Sequence, residues 1–345
     1  MSAHSAVEQR WKVRPEGSNW GEFGPDDQHG RMNLITAERR RRAAEEVRDG
    51  LAFCLSLPLD RPGGNVLNAN RHPPCFHPVM RGRHVYFNLA LECTDPRLTD
   101  VGSDEAVVLY DQYSTHWDSF AHKGSLFDAD ADGTEERVFY NGYRIVNPET
   151  GQGTQGTLGA TAVSIAAMAE TSVQGRGVLV DLRHHLGDAR VEVGYEQLRR
   201  IMESDGVEVK EGDILLLHTG LGQLIVDANG APGPELRTAC AVLDGRDTRL
   251  LQWITESGLA AIAADNLAVE RSSGLGVDPA LHRGAGLPLH EHCLFKLGIH
   301  LGELWYLTEF AAWMRAHGRS RCLLTAPPLR LPGAAGAPAT PVATV

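Results

Sequence analysis

Residues 112–122 read Gln-Tyr-Ser-Thr-His-Trp-Asp-Ser-Phe-Ala-His, a stretch that contains His116, Asp118 and His122. Side chains two positions apart on an extended backbone share a face, so we expect His116 and Asp118 to point the same way. The preceding run Ala-Val-Val-Leu-Tyr (106–110) is apolar and β-branched, which predicts a buried strand. An imidazole and a carboxylate that converge at a strand end form half of a divalent-metal site, although such a pair in a polar loop is also common as a solvated pair.

A second group of ligand-type residues lies near residue 300. Residues 287–305 read Leu-Pro-Leu-His-Glu-His-Cys-Leu-Phe-Lys-Leu-Gly-Ile-His-Leu-Gly-Glu-Leu-Trp. A helix over 289–297 that ends at Gly298 and is followed by a strand fits this pattern, because Gly is the usual residue just after a helix. Such a helix-turn-strand would fold His290 back towards Glu303. A carboxylate flanked by Leu and Trp is expected to be half-buried, and a buried carboxylate needs a cation or hydrogen-bond donors.

The stretch 112–122 resembles His-x-Gly-Thr-His-x-Asp-x-Pro-x-His, the signature of the cyclase family, whose members include bacterial kynurenine formamidase and isatin hydrolase. Four positions fit, namely Thr115, His116, Asp118 and His122. Three positions depart from the signature: Gln112 stands where the first His would be, Ser114 replaces Gly and Phe120 replaces Pro. Further segments similar to the longer members of the family lie at 21–36, 175–182, 211–220, 264–270 and 336–343.

Strand-like and helix-like patterns alternate along the chain, which predicts a mixed α/β fold. Predicted strands cover 51–57, 85–91, 106–110, 177–182, 213–218, 260–264 and 321–326. Predicted helices cover 36–47, with Thr36 as N-cap, and 164–169, 195–202 and 246–256. The resemblance implies a single domain of the swivelling β/β/α type, with a mixed sheet and flanking helices. We expect residues 51–345 to form this metal-dependent hydrolase domain and residues 1–50 to be an N-terminal segment packed on it.

The resemblance also implies a metal-ligand set made of His116, Asp118, His290 and Glu303. His292 is the main rival of His290, and otherwise His292 and His300 are expected to be surface residues or residues that contact a ligand without binding metal. Gln112 occupies the position of a further histidine ligand, and its amide oxygen would suit a harder ion such as Mn²⁺. We therefore expect one divalent ion, Zn²⁺ or Mn²⁺, with Gln112 as a weak ligand or as a hydrogen-bonding partner.

The family's chemistry implies a hydrolase that cleaves an amide, a lactam or a similar cyclic C–N bond, with metal-bound hydroxide as nucleophile. His122 would be the general base and acid, or alternatively a donor to Asp118. The rings of Trp117, Phe120 and Phe127 would wall the substrate pocket or pack in the core. Two other functions stay open: a metal-assisted cyclase, dehydratase or lactone-acting enzyme of a polyketide-type pathway, and a metal-binding member without catalytic activity.

Asp265 and Glu270 follow an apolar strand, where the family has acidic residues near the pocket. Their role is open, and a structural ion pair is the simplest interpretation.

The composition of the chain indicates which kinds of molecule we expect the protein to bind. The 345 residues are 42% apolar and 22% charged, which is ordinary for a globular protein, and the formal net charge of −11 argues against nucleic acid as a partner. Six scattered cysteines without a C-x-x-C pair suggest reduced thiols. With no secretory signal and no run of about 18 apolar residues, we expect a cytoplasmic protein with no membrane partner. It would act on a small-molecule substrate as a homodimer or homotetramer.

Overall fold

The computed structural model describes residues 9–146, 158–271 and 284–345 of the chain. Within these residues, nine strands form one mixed sheet at the centre of the molecule. Labelled by their place in the chain, they are β1 (Ala52–Cys54), β8 (His116–Asp118), β11 (Gln174–Asp181), β13 (Ile214–His218), β15 (Ala261–Ala264), β16 (His300–Glu303), β17 (Arg321–Thr325), β18 (Gly336–Pro338) and β19 (Val342–Thr344). Their order across the sheet is β1-β19-β17-β11-β13-β15-β16-β8-β18.

The other strands pair two by two outside this sheet. These pairs are β2 (Cys75–Pro78) with β7 (Glu105–Val108), β3 (Met80–Arg81) with β4 (His84–Val85), β5 (Leu89–Ala90) with β6 (Val101–Gly102), β9 (Ser125–Phe127) with β10 (Glu136–Val138), and β12 (Glu192–Val193) with β14 (Val242–Leu243).

Helices cover both faces of the sheet. They are α1 (Ala37–Ala44), α2 (Ile165–Glu170), α3 (Leu182–Leu186), α4 (Tyr195–Ser204), α5 (Leu221–Asp227), α6 (Thr248–Ser257), α7 (Pro288–His290) and α8 (Thr308–Ala316). A π-helix, Glu291–Leu297, continues α7, and short 3₁₀ helices lie at Gly30–Leu34, Leu91–Cys93, Tyr140–Gly142 and Pro234–Thr238. The described residues thus form the single mixed α/β domain that the sequence predicts.

The four central strands β11, β13, β15 and β16 run parallel, and the strands at both edges of the sheet are antiparallel to their neighbours. Every residue of β13 and of β15 is buried, as expected for parallel strands with helices on both sides. One apolar layer includes residues of α4, α6 and the π-helix, and the other includes residues of α2 and α8. The carboxyl ends of the parallel strands therefore lie along one edge of the sheet, which is where ligand sites of α/β folds form.

Most predicted elements are present with shifted ends, but two predictions were wrong. Strand β7 overlaps the predicted strand 106–110, yet all four of its residues are exposed instead of buried. Among the described residues β7 pairs only with β2, in a two-stranded sheet outside the central one, so its apolar side chains are not enclosed by the main core. The predicted strand 85–91 is divided between β4 and β5, because Asn88 adopts a left-handed backbone conformation with φ 52°.

The described part of the N-terminal segment packs against the π-helix and α6. The indole N–H of Trp20 donates to the carbonyl of Phe295 at 2.8 Å, and the guanidinium of Arg31 donates to the carbonyl of Ile254 at 2.9 Å. Thr36 accepts a hydrogen bond from the backbone N–H of Arg39 and is the N-cap of α1, as predicted. The domain boundary at residue 50 stays a prediction.

All six cysteines are free thiols. Among the described residues, no helix is long and apolar enough to cross a membrane.

Candidate metal centre

His116 and Asp118 lie on β8, the short strand held between β16 and β18. Both side chains are fully buried and share one face of the sheet, while Trp117 between them faces the opposite layer. The ring Nδ1–H of His116 donates to the carbonyl of Ser114 at 2.7 Å. With the proton on Nδ1, the Nε2 atom keeps its lone pair. Nε2 lies 3.6 Å from Oδ1 of Asp118. A strand only three residues long thus presents an imidazole nitrogen and a carboxylate side by side.

The helix-turn-strand around residue 298 has the predicted form. The π-helix ends at Gly298, whose φ of 60° reverses the chain into β16. This turn brings Nε2 of His290 within 3.2 Å of Oε1 of Glu303. Because β16 pairs with β8, Oε2 of Glu303 also lies 3.9 Å from Nε2 of His116. The two separated sequence clusters therefore meet at one point.

Two groups of three side chains in the described structure have ligand atoms within 4.8 Å of one another: His116 with Asp118 and Glu303, and Asp118 with His122 and His290. Among the described residues, Nε2 of His116 and Oδ2 of Asp118 are buried and have no hydrogen-bond partner. An acceptor nitrogen that faces carboxylate oxygens without a proton between them is costly to bury unless a cation joins them. This donor set of nitrogen and oxygen atoms fits a divalent transition ion such as zinc.

The buried charges of the site are strongly coupled. Burial disfavours the protonated form of His290, but its hydrogen bonds with Glu270 and Glu303 raise its pKa to about 9. Burial opposes ionisation of Glu303, but its contacts with His290 and His116 hold its pKa well below the usual range. Glu303 is therefore an anionic carboxylate at neutral pH, which is the form that binds metal.

Glu270 orients His290. Its Oε1 accepts a hydrogen bond from the backbone N–H of His290 at 2.8 Å and another from the ring Nδ1–H at 2.9 Å, while Oε2 accepts from the backbone N–H of Leu289 at 3.0 Å. Carboxylates commonly hold metal-binding histidines in this way. Asp265 has a different role. It accepts hydrogen bonds from Thr219 and Gly220 and thereby stabilises the turn after β13. The sequence pattern singled out both acids but could not distinguish these roles.

His122 lies at the open side of the cluster, with its side chain 19% exposed and Nε2 3.9 Å from Oδ2 of Asp118. Burial lowers the pKa of His122, against the opposing effect of the Asp118 charge. The amide nitrogen of Gln112 lies 2.9 Å from Nδ1 of His122 and also donates to Oδ1 of Asp118. As placed, Gln112 therefore presents N–H donors to the cluster, and an N–H group does not bind a cation.

The three aromatic residues expected to wall the substrate pocket contact other aromatic rings of the protein. Trp117 is fully buried, meets Trp305 edge-to-face and donates its indole N–H to the carbonyl of Ala326. Phe120 is also fully buried and stacks on His300 at 4.0 Å between ring centroids. Phe127, which is half-buried, contacts the rings of Trp20 and Phe295. These positions agree with the alternative of core packing.

The two remaining histidines of the second cluster do not contribute ligand atoms to the groups above. Nε2 of His292 lies 2.9 Å from the hydroxyl of Thr255 on α6, away from the cluster. His300 is buried on β16, and its ring Nδ1–H donates to the backbone carbonyl of Asp118 at 2.9 Å. His300 thus stabilises β8, the strand that carries Asp118, but belongs to neither group of ligand side chains.

Residues 54–271, more than half of the chain, match the family model described as "Putative cyclase". The chain belongs to the cyclase family. No curated protein sequence matches it. A crystal structure described as a novel cyclase is similar to the chain at 31% identity with a TM-score of 0.73, over 96% of this chain and 100% of that one.

More distant cyclase-like structures share the fold. Isatin hydrolase A from Labrenzia aggregata, solved with benzyl benzoate, has a TM-score of 0.55 at 12% identity, over 87% of this chain and 94% of that one. An isatin hydrolase bound to the product analogue thioisatinate gives a TM-score of 0.53 at 12% identity, over 88% of this chain and 94% of that one.

Proposed function

We propose that this cyclase-family chain is a metal-dependent hydrolase that cleaves an amide, a lactam or a similar cyclic C–N bond, with one divalent ion, Zn²⁺ or Mn²⁺. The observation that carries the proposal is the pair of buried, unpartnered atoms Nε2 of His116 and Oδ2 of Asp118. With His290 and Glu303, they supply four ligand side chains from two distant parts of the sequence. Isatin hydrolases, which share the fold, support the choice of a cyclic substrate by analogy.

A divalent ion at such a site lowers the pKa of a bound water towards about 7 and polarises a carbonyl oxygen. The protein's own residues prepare this chemistry. The carbonyl of Ser114 fixes the His116 ring, and Glu270 fixes the His290 ring, so both Nε2 atoms face the carboxylates of Asp118 and Glu303. Such fixed orientation avoids reorganisation of the ligands during the reaction.

His122 is the proposed general acid and base. Because the Gln112 amide donates to Nδ1, the neutral His122 ring carries its proton on Nε2, which faces the ligand cluster. In this tautomer Nε2 has no lone pair and cannot take a proton. A half-turn of the Gln112 amide would place its oxygen at Nδ1 and reverse the tautomer, so that Nε2 could take a proton from water. The resulting imidazolium could then pass that proton from Nε2 to the leaving nitrogen.

Metal content and hydrolysis test the proposal together. Elemental analysis of Asp118→Ala and Glu303→Ala is expected to show loss of the ion, whereas His292→Ala, whose imidazole contacts Thr255, should keep it. The wild-type protein is then assayed on formamides and lactams with added Zn²⁺ or Mn²⁺. Wild-type metal content in both carboxylate variants would contradict the ligand assignment. Full metal occupancy with no turnover on any carbonyl substrate would contradict the hydrolase proposal.

A further inference from the structure

A cavity of about 280 Å³ lies behind the metal centre and outside the ligand cluster. The residues of its wall that matter here are Leu67, Arg190, Arg237, Asn266, Leu267 and Glu270. Its size suits a small organic molecule. Two guanidinium groups on one wall of a protein with a net charge of −11 point to a negatively charged occupant.

The two arginines lack counterions. Arg190 donates to the backbone carbonyl of Arg237 at 2.6 Å, and Arg237 donates to the carbonyl of Val66. Within the described part of the chain, neither guanidinium forms an ion pair with a carboxylate. The acids next to Arg190 in the sequence form ion pairs with other arginines, since Asp188 pairs with Arg183 at 2.7 Å and Glu192 pairs with Arg271 at 2.6 Å, and the charge of Glu192 acts on Arg190 only from beyond ion-pair distance. Both arginines are exposed, so their remaining N–H donors face solvent and are accessible to a ligand.

Two other polar side chains, Glu270 and Asn266, also line the cavity. Glu270 is buried, and both its oxygens already accept hydrogen bonds from Leu289 and His290. Asn266 is also buried, and among the described residues its Oδ1 has no hydrogen-bond partner. The unpartnered Oδ1 of Asn266 is an acceptor that is costly to bury unless a water or another donor reaches it, whereas the exposed guanidiniums can bind water or an anion.

The cavity is separated from the reacting centre. The space beside Gln112, Tyr113 and Leu304 shares Leu67 and Leu267 with the cavity but has a volume of only about 10 Å³. That volume holds at most one water molecule. A ligand in the cavity would lie on the Nδ1 side of His290, with Glu270 between ligand and ring, whereas the ligand cluster lies on the Nε2 side.

We propose that this cavity is a second ligand site, which binds a small carboxylate through Arg190 and Arg237. The planar guanidinium matches a carboxylate with two parallel hydrogen bonds, which a compact ammonium group cannot provide. The inference goes beyond the proposed function and does not depend on turnover. Its link to the metal centre is Glu270, which belongs to both.

Ligand-observed NMR titration of the metal-loaded protein with butyrate tests the site, and butyramide serves as the neutral probe of the same shape. Butyrate is expected to bind the wild-type protein and to bind Arg190→Gln and Arg237→Gln at least roughly tenfold more weakly, because a charge-assisted hydrogen bond is lost. Arg199→Gln is the matched control, since Arg199 lies on α4 and pairs with Glu196 and Glu203.

A carboxylate that bound directly to the metal would keep its affinity in both arginine variants, and that result would overturn the proposal. Absence of butyrate binding, equal binding of butyramide, or tighter binding of inorganic phosphate would overturn it as well. Metal content is measured on the same samples, so a failure of the metal assignment is recognised separately from a failure of the carboxylate site.

Discussion

Glu270 accepts hydrogen bonds from both the backbone N–H and the ring Nδ1–H of His290, at 2.8 and 2.9 Å. One carboxylate therefore fixes the start of the π-helix and the orientation of the imidazole at the same time. The consequence is that Nε2 of His290 faces Glu303 and Asp118 before any ion binds.

Substitution of Glu270 should weaken metal binding without removing a ligand. Glu270→Gln loses the negative charge that polarises the His290 ring, so zinc affinity is expected to fall by about 10–100-fold. Competition with a zinc indicator measures this affinity. Glu291→Gln is the control, because Glu291 is adjacent to His290 but accepts a hydrogen bond from Ser125 instead. Equal affinities of the two variants would show that Glu270 does not position the ligand.

Removal of the His122 imidazole should separate chemistry from metal binding. His122→Ala is expected to keep the wild-type metal content and to lose about 10²–10⁴ in kcat, the usual contribution of a general acid or base. Steady-state kinetics on a substrate found in the amide panel, together with elemental analysis, measures both quantities. A variant with near-normal kcat would show that the proton passes through another group.

The Gln112 position should determine how many ions bind. Imidazole is a better zinc ligand than a carboxamide, and Gln112 lies against Asp118 and His122, so Gln112→His is expected to bind more zinc per chain and more tightly. Calorimetric zinc titration compares the variant with the wild-type protein. Identical stoichiometry and affinity would place residue 112 outside the coordination sphere.

Asp181 should stabilise the fold in a pH-dependent way at a distance from the metal centre. Burial would raise its pKa, but the hydrogen bond with His218 and the charge of Arg315 bring the pKa below its ordinary value. The stabilisation is present above the unfolded pKa of about 3.9 and is lost as pH falls through the lower folded pKa. Asp181→Asn is therefore expected to lower the free energy of unfolding by about 1–3 kcal/mol at neutral pH.

Urea unfolding of both proteins across the acid range tests the sign of this effect. The difference in unfolding free energy should shrink as pH falls below about 4. A difference that stays constant over the whole acid range would mean that the Asp181 charge is not its source.

Gly298 and Gly318 form a matched pair for the turn that brings His290 to Glu303. Their φ angles are 60° and 59°. A Cβ at Gly298 would lie 2.7 Å from Cα of Gly30 and 2.6 Å from the Tyr140 ring, whereas a Cβ at Gly318 would meet nothing within 4 Å. Gly318→Ala should cost about 1–2 kcal/mol of backbone strain, and Gly298→Ala a further 1–3 kcal/mol or so from steric overlap. Thermal unfolding compares them, and equal losses would contradict the tight packing.

Local pattern predicted most of the elements, and together with the family resemblance it singled out the side chains that meet at the candidate metal centre. The spacing of His116 and Asp118 and the glycine stop at Gly298 are properties of short segments, and the structure reproduces both. The burial of Trp117 could not be predicted, because it depends on contacts such as that with Trp305, which lies just after β16 and far away in the sequence. The contact between Glu270 and His290 is likewise a product of the folded chain.

The pairing of β8 with β16 and β18 has a consequence for biosynthesis. The hydrogen bond from His300 to the Asp118 carbonyl spans 182 residues, and β18 lies further along the chain still. At synthesis rates of about 5–20 residues per second, the nascent strand that carries His116 waits on the order of ten seconds or more for its partners. An ion held by both His116 and Glu303, as proposed, could be enclosed only after those later strands have emerged from the ribosome, so we expect metal loading to be a late event in the maturation of this protein.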